Sequence, residues 1–339
     1  MPKRTGQIPK SSPALPPSRD SVEDPKADEV YLAQLYDAQP TNVKNYHELM
    51  WRDVQKLPKV AQEKIKAATH DEMEAHRKRG TFEYVHRPTN RRVILNRWVL
   101  DEKPDGCIKA RLVIKSFSQI EGIDFDQVFS PIVRFESLRL ILGLCTLKNM
   151  HILGLNVCNA YLYAELNEEI YMEQPQGFKI PGKEHLVIRL RHALYGLKQA
   201  GLKWWKTMTK SMEKLGFKRL HSDEGIYIYT DAKTGLICIA IVYVDNALFC
   251  SVDHKLGEQL KNAFAEKWKC RDLGDVKEFL CMRITRQAYV VMIDQVAYLE
   301  KMLDRVGLTN ARPVATPLPS RYYPLPNEDP VDKVLWHRF

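Results

Sequence analysis

Few residues in this sequence have a spacing that could support chemistry, and the first such set has two possible uses. His70 and Glu74 are four residues apart on a predicted helix, and His76 lies close by. Side chains at positions i and i+4 share one helix face, so this set could bind a metal ion. A solvated polar face uses the same residue types at the same spacing. We favour the polar face, which gives these residues no catalytic role.

Two adjacent tryptophans, Trp204 and Trp205, could stack on nucleic-acid bases. They also fall at helical spacing from Leu197 and Leu202, a pattern that is typical of a buried helix face. We therefore favour core packing for both indole rings.

The composition indicates a globular protein with a basic surface. Hydrophobic residues make up 45% of the chain, and 51 Lys and Arg exceed 42 Asp and Glu. This excess favours polyanionic partners, because bound cations release phosphate counterions. Seven cysteines without a Cys-x-x-Cys pair or a secretory signal favour an intracellular protein of the cytoplasm or nucleus, not a secreted one. Apolar runs are too short to span a bilayer, so we expect no membrane partner.

The elements that must position any site change in type along the first half. Residues 1–42 are rich in Pro, Ser and charge, which predicts a disordered lead. A helical pattern follows and ends at Gly80. Strands are predicted over residues 81–85, 92–100 and 109–117, with a turn at 104–106 and a buried helix over 137–147.

The second half predicts a sheet built around a tight hairpin. Two apolar runs, 236–244 and 247–252, are separated by Asp245 and Asn246. Both residue types tolerate positive φ, so the pair predicts a two-residue turn. The remaining predicted elements are strands over 151–157, 225–229, 276–285 and 289–293 and helices over 198–215, 255–268 and 295–306. This order predicts an α+β fold with an antiparallel sheet flanked by helices.

A set of short motifs over about residues 50–320 carries the strongest functional signal. The motifs are Lys109–Val113 with Gln119–Asp124 and Phe129–Pro131, Glu169–Met172 with Gln176–Phe178, Leu194–Ala200 with Trp204, Tyr243–Asp245, Leu273–Asp275 with Phe279–Leu280, and Ala315–Pro317. In this order they resemble the reverse transcriptases of copia-type (Pseudoviridae) LTR retrotransposons. The resemblance implies a polymerase domain over 43–320.

The same resemblance implies how that domain is divided. The fingers would cover about 43–150, the palm about 151–293 and the start of the thumb about 294–310. The palm would contain the antiparallel sheet. Residues 321–339 would form an extended tail without a ribonuclease H.

The family implies RNA-directed DNA synthesis from deoxynucleoside triphosphates on an RNA/DNA primer–template, with two Mg²⁺ ions held by three aspartates. The first aspartate position falls on Asn156, and the other two fall on Asp245 and Asn246. Only Asp245 remains a charged metal ligand. Each lost carboxylate forfeits about 4 kcal/mol per unit of cation charge at a separation of about 4 Å and an effective dielectric of about 20. We therefore expect weak or absent Mg²⁺ binding and no useful polymerisation.

Other family positions keep residues that could bind a nucleotide. Lys109 and Arg111 would meet the triphosphate, and Tyr161 would exclude a ribose 2′-hydroxyl. Tyr195–Gly196 and Lys198 would contact the templating base pair. The alternatives are a solvated strand face for Lys109 and Arg111, a core aromatic for Tyr161, and a backbone requirement for Gly196.

Three further positions depart from the family pattern. Ser116, Gly201 and Cys281 stand where the family usually has Gly, Pro and Gly. Together with the two asparagines, they favour a degenerate copy of the enzyme. A weakened enzyme, a non-catalytic nucleic-acid-binding remnant and an unselected fragment remain as alternatives.

Overall fold

The computed structural model describes residues 51–103, 106–287 and 290–312. The predicted lead at 1–42, the tail at 321–339 and the motif Ala315–Pro317 lie outside the described residues. Two of the three residues of the predicted turn at 104–106 also lie outside them.

The chain forms two compact units that interleave along the sequence. The first runs to Pro131 and resumes over Asn159–Lys210, while the second comprises Ile132–Cys158 and continues from Ser211. The described helices are α1 (Trp51–Val54), α2 (Lys59–Arg79), α3 (Phe135–Leu147), α4 (Ala200–Lys214), α5 (His254–Ala265) and α6 (Val296–Arg305).

The strands are short and are distributed over several sheets. They are β1 (Phe82–His86), β2 (Val93–Ile94), β3 (Asn96–Glu102), β4 (Ile108–Ile114), β5 (His151–Val157), β6 (Tyr171–Met172), β7 (Leu186–Leu190), β8 (Lys218–Arg219), β9 (Ile226–Thr230), β10 (Ile237–Tyr243), β11 (Asn246–Ser251), β12 (Cys270–Asp275), β13 (Glu278–Phe279), β14 (Met282–Gln287) and β15 (Val290–Asp294).

The first unit places a long helix against a two-stranded ribbon. Strands β3 and β4 pair antiparallel, and α2 lies against β4. A separate sheet has the order β1-β7-β6-β2. Helix α2 ends as predicted at Gly80, which has a φ of 60°. The Gly80 and Thr81 amides donate to the carbonyls of Arg77 and His76, which satisfies the last turn of the helix.

The second unit is organised around a six-stranded sheet with the order β12-β5-β11-β10-β9-β8. Every neighbouring pair in this sheet is antiparallel. On one face, Ile152, Ile241 and Leu248 form a buried cluster with Leu138 and Leu142 of α3. This helix-on-sheet packing excludes water from the middle of β5 and β11.

Helix α5 covers the other face of the same sheet. Its Phe264 ring lies 5.9 Å from the Phe249 ring of β11, and Gly257 lies against Leu153 of β5. The Asp253 side chain caps this helix by accepting the Leu256 amide at 2.8 Å. The predicted α+β class with an antiparallel sheet flanked by helices is confirmed for this unit.

The prediction of a single strand over 276–285 is wrong. Phe279 pairs with Met282, so Leu280 and Cys281 form a turn between β13 and β14. Both have positive φ, 52° and 60°. Two consecutive left-handed residues are typical of a turn that prefers Asn-Gly, and neither Leu nor Cys signals one in a sequence.

Replacing Cys281 with glycine is expected to stabilise the second unit by about 1 kcal/mol, because glycine adopts positive φ without a Cβ penalty. Urea unfolding measures the change. Cys281→Ser keeps the Cβ and serves as the control, with an expected change of less than about 0.5 kcal/mol. Equal effects of the two substitutions would show that the backbone is not strained at this turn.

A buried lysine connects α5 to the edge strand β12. The Lys261 side chain is 1% exposed, and its ammonium donates to an Asp272 carboxylate oxygen at 2.6 Å. Glu258 lies farther from the same ammonium, at 3.5 Å. The hydrogen bond from Lys261 holds the pKa of Asp272 below its usual range. The resulting stability is present above about pH 4 and is lost as the pH falls through the lowered pKa.

Replacing Asp272 with asparagine is expected to cost about 1–2 kcal/mol at pH 7, because a buried ammonium loses its nearest carboxylate. The loss is small for a buried ammonium because the Asp272 side chain is 56% exposed and therefore screened by solvent. Urea unfolding at pH 7 and pH 3 should show the difference from the native chain shrinking at pH 3. Asp275→Asn, on the same strand, is the control and should change stability little.

Candidate active site

The hairpin that carries Asp245 has a different register from the predicted one. Tyr243 pairs with Asn246, so the turn consists of Val244 and Asp245 rather than Asp245 and Asn246. Val244 takes the positive φ, at 55°. A β-branched residue is unfavourable in that conformation, so residue preferences alone do not predict Val244 as a turn residue. Pairing of Asn246 on both sides fixes the observed register.

Asn246 also pairs with Asn156 across β11 and β5. Directly paired residues of antiparallel strands project from the same face of the sheet. The Asn156 Nδ2 lies 3.2 Å from the Asn246 Oδ1, to which it donates. The structure therefore brings together two of the three predicted metal positions at the end of one sheet face.

Asp245 completes the same cluster from the turn. The Asn246 Nδ2 donates to its carboxylate Oδ1 at 3.0 Å. The Asp245 backbone carbonyl accepts the Val157 amide at 2.7 Å and lies 3.5 Å from the Asn156 Nδ2. All three predicted metal positions are half-buried and joined by hydrogen bonds. We call Asn156, Asp245 and Asn246 the strand-end cluster.

A positively charged residue that the sequence analysis did not single out adjoins this cluster. Arg271 of β12 pairs with Asn156 on the side opposite Asn246. The register therefore places Asn246, Asn156 and Arg271 in one row across three strands. Cβ atoms of such pairs are about 5 Å apart. Only strand pairing reveals this neighbour, since Arg271 is far from the cluster in sequence.

The strand-end cluster does not fit a pair of divalent cations. It offers one carboxylate, and one oxygen of that carboxylate already accepts an amide hydrogen bond. The amide nitrogens of Asn156 and Asn246 are donors, which a cation repels. Among the residues that the structure describes, no group of three or more His, Cys, Asp or Glu side chains could hold a metal ion.

The predicted nucleotide-binding residues lie in the first unit, where three of them meet. The Arg111 guanidinium lies 5.8 Å from the centre of the Tyr195 ring. The Tyr161 ring makes an edge contact with the same ring at a centroid distance of 5.2 Å. The Arg111 Nη1 also lies 4.0 Å from the Asp101 Oδ2. A guanidinium over the Tyr195 ring could bind a phosphate, and the neighbouring aromatic rings could contact a nucleobase.

Lys109 lies two residues before Arg111 and so on the same face of β4. It pairs with Asp101 of β3. Lys198 stands apart, with its ammonium 4.5 Å from the centre of the Phe125 ring. Lys109 is half-buried and Lys198 is exposed. Both cations are therefore accessible to solvent in the first unit.

Gly196 occupies a position that no other residue could fill without strain. Its φ is 89°, and an added Cβ would lie 2.2 Å from the Ile114 carbonyl oxygen. The Ile114 amide donates to the Tyr195 carbonyl at 2.8 Å. This close approach to β4 supports the alternative interpretation, in which glycine is required at position 196 by the backbone geometry.

His70, Glu74 and His76 each have different surroundings in the structure. Glu74 is bound by Arg77, with a hydrogen bond of 2.7 Å, and His70 is exposed. The favoured polar-face interpretation is wrong for His76, which is 1% exposed and hydrogen-bonded to Thr81 at 2.9 Å. The fold of the chain beyond Gly80 covers this ring, which helical spacing alone could not reveal.

Trp204 is buried, with 2% of its surface exposed, and its ring contacts Tyr163 at a centroid distance of 6.3 Å. The core interpretation is therefore confirmed for Trp204. None of the described helices combines the length and apolar character needed to cross a membrane.

Comparison with known proteins agrees with the family resemblance. Residues 79–320 match the family described as reverse transcriptase (RNA-dependent DNA polymerase). The chain is 38% identical over 258 residues to the retrovirus-related Pol polyprotein from transposon TNT 1-94 of Nicotiana tabacum. This match covers 74% of the chain and 19% of that protein.

Two Arabidopsis thaliana proteins are also similar. The Pol polyprotein from transposon RE2 is 33% identical over 227 residues, which are 66% of the chain and 16% of that protein. The one from transposon RE1 is 30% identical over 262 residues, which are 76% of the chain and 18% of that protein. The chain thus spans less than a fifth of each of these relatives. It belongs to the reverse transcriptase (RNA-dependent DNA polymerase) family, as a copia-type domain of a retrotransposon Pol polyprotein.

Proposed function

We propose that this reverse transcriptase domain has the architecture of its family but has lost polymerase chemistry. The six-stranded sheet with α3 and α5 is then the palm, the β3–β4 ribbon belongs to the fingers, and α6 begins the thumb. Its inherited substrates are an RNA/DNA primer–template and deoxynucleoside triphosphates. The inherited Mg²⁺ binding is weak or absent.

The observation that carries this proposal is the closed hydrogen-bond chain of the strand-end cluster. Asn156 donates to Asn246, and Asn246 donates to Asp245. Each contact satisfies an amide group without a cation. Asparagines stand at two positions where the family has carboxylates. Each missing carboxylate forfeits about 4 kcal/mol of attraction per unit of cation charge, and two such losses correspond to several powers of ten in metal affinity or rate. Arg271 in the same row adds a positive charge on one side.

Primer extension tests the proposal directly. The native chain is incubated with an RNA template, an annealed DNA primer and deoxynucleoside triphosphates, with Mg²⁺ in one arm and Mn²⁺ in the other. We expect no extension above background in either arm. Circular dichroism and a cooperative thermal transition establish that the sample is folded. Robust extension by the folded native chain would contradict the proposal.

A second candidate function, binding of nucleotides or nucleic acid without synthesis, is favoured by the first unit. Arg111, Tyr161 and Tyr195 remain in contact, so a surface for phosphate and a flat ring persists independently of the strand-end cluster. Binding of an RNA–DNA hybrid should weaken steeply with salt, because phosphate contacts release counterions.

Hybrid binding is measured by fluorescence anisotropy at several salt concentrations. Arg111→Ala is expected to weaken binding and to reduce the salt slope by about 1. Arg139→Ala removes an exposed cation of α3 and serves as the charge-matched control. Lack of binding by the folded native chain at low salt would reject this second candidate.

A further inference from the structure

A buried polar network joins two of the motifs that carry the family resemblance, Gln119–Asp124 and Leu194–Ala200, within the first unit. Gln119, Asp124 and Gln199 are only 6%, 4% and 1% exposed. Glutamine and aspartate side chains are seldom buried this deeply, and those that are need hydrogen-bond partners. We call these three residues the glutamine clasp.

Hydrogen bonds connect the three residues of the clasp to one another and to the backbone of the 119–124 loop. The Gln199 Nε2 donates to the Asp124 carbonyl at 2.7 Å, and the Gln119 Nε2 donates to the Gln199 Oε1 at 3.1 Å. The Asp124 carboxylate accepts the Ile120 amide at 2.8 Å, which closes the loop on itself. The loop over 119–124 and the segment at Gln199 are therefore joined at fixed atoms.

The last hydrogen bond of the clasp reaches a predicted site residue. The Gln119 Oε1 accepts the backbone amide of Lys198 at 2.9 Å. The Lys198 ammonium lies over the Phe125 ring, 4.5 Å from its centre. Phe125 follows Asp124 directly, so one loop contacts Lys198 both at its backbone and at its charged end.

The same segment is also attached at its other end. The Tyr195 carbonyl accepts the Ile114 amide at 2.8 Å, and Gly196 approaches the Ile114 carbonyl too closely for a Cβ. The turn that bears Tyr195, Gly196 and Lys198 is thus fixed at one end to β4 and at the other to the clasp. Strand β4 carries the predicted phosphate contacts.

We propose that the glutamine clasp is a positioning device that orients Lys198 for nucleotide binding. Gln119 and Gln199 are positioning residues, since they act through Lys198. The proposal rests on the second candidate function, nucleotide binding by the first unit, and extends it to Lys198, which the family resemblance places at the templating base pair. An exposed lysine loses conformational freedom on binding a phosphate, and fixing its backbone and stem beforehand reduces that cost. An apolar pair would fill the same space but would not hold the Lys198 amide.

A network of similar burial elsewhere in the unit allows positioning to be separated from stability. Gln174 is 4% exposed, and its amide donates to the carbonyls of Lys183 and Leu186. Its oxygen accepts the Ile180 amide at 2.9 Å. None of these contacts involves a predicted site residue. Gln174→Met is therefore a matched control for Gln119→Met, because methionine is close in shape to glutamine but lacks its amide.

The test is a double-mutant cycle between Lys198→Ala and Gln119→Met. The probe is a fluorescently labelled deoxyadenosine triphosphate, whose dissociation constant is measured by anisotropy at low ionic strength without divalent cations. Lys198→Ala is expected to weaken binding about tenfold in the native chain, and less than about twofold when Gln119 is methionine. In the Gln174→Met chain the effect should remain about tenfold.

All chains are measured well below their melting temperatures, and Gln199→Met replaces Gln119→Met in the cycle if the latter does not fold. A tenfold effect of Lys198→Ala in both the native and clasp-variant chains would overturn the positioning role while leaving Lys198 as a nucleotide contact. No effect of Lys198→Ala in the native chain would overturn its nucleotide role and the positioning role together. An effect of Lys198→Ala of less than about twofold in the Gln174→Met chain would also overturn the inference, since the weakened effect would then reflect general destabilisation.

Discussion

Replacing Asn156 and Asn246 together with aspartate is expected to convert the strand-end cluster into a divalent-cation site. The two new carboxylates would join Asp245 within the reach of the present hydrogen bonds, which are 3.2 and 3.0 Å long. Without a cation their mutual repulsion should lower stability by several kcal/mol, since like charges at about 4 Å interact by about 4 kcal/mol at an effective dielectric near 20. Mg²⁺ or Mn²⁺ should reverse that loss.

Thermal unfolding with a chelator and then with excess cation measures this effect, and primer extension measures the chemistry. The double variant should melt lower than the native chain in chelator and gain stability from the cation, whereas the native chain should respond little. Extension should rise by several powers of ten over the native background. Because Arg271 lies in the same row, we expect the extension rate of the double variant to be lower than that of the same variant without an arginine at position 271.

A charge change outside the cluster controls for a general effect of acidity. Asn262 of α5 is exposed, so Asn262→Asp adds a carboxylate away from the strand-end cluster. This variant should neither gain stability from cations nor extend a primer. A double variant that shows no more cation response than Asn262→Asp would mean that the strand-end cluster is not the metal position.

Replacing Gly196 with alanine is expected to destabilise the first unit by about 3 kcal/mol or more. Two costs add at this position. The φ of 89° is unfavourable for any residue with a Cβ, and the new Cβ would lie 2.2 Å from the Ile114 carbonyl oxygen and 2.8 Å from a Val113 methyl. Backbone of β4 would have to move, and the turn that carries Tyr195 would move with it.

Gly182→Ala separates the two costs. Gly182 has a φ of 77°, but nothing lies within 4 Å of its added Cβ. Its substitution should therefore cost only about 1 kcal/mol, the penalty of the left-handed conformation. Urea unfolding of the two variants and the native chain gives the comparison. Similar losses in both would show that the contact with Ile114 is not tight.

Several elements could be predicted closely from the sequence because local patterns dominate them. The strand over 151–157 is found at those residues, since most of its residues are apolar and buried. Helix α2 ends where Gly80 supplies the left-handed conformation. The β13–β14 turn could not be predicted, because Leu280 and Cys281 have none of the usual turn preferences and are held there by pairing on either side.

Residue identity and the order of motifs along the chain were enough to predict the family, the α+β class and two asparagines at positions where the family resemblance implies aspartates. That Val244, and not Asn246, occupies the turn follows from the pairing of Tyr243 with Asn246. Only the tertiary structure places Asn246 and Asn156 in a shared hydrogen bond beside Arg271. These relations arise from pairing between strands that are distant in sequence, and long-range register is set by the packing of whole sheet faces rather than by local preference.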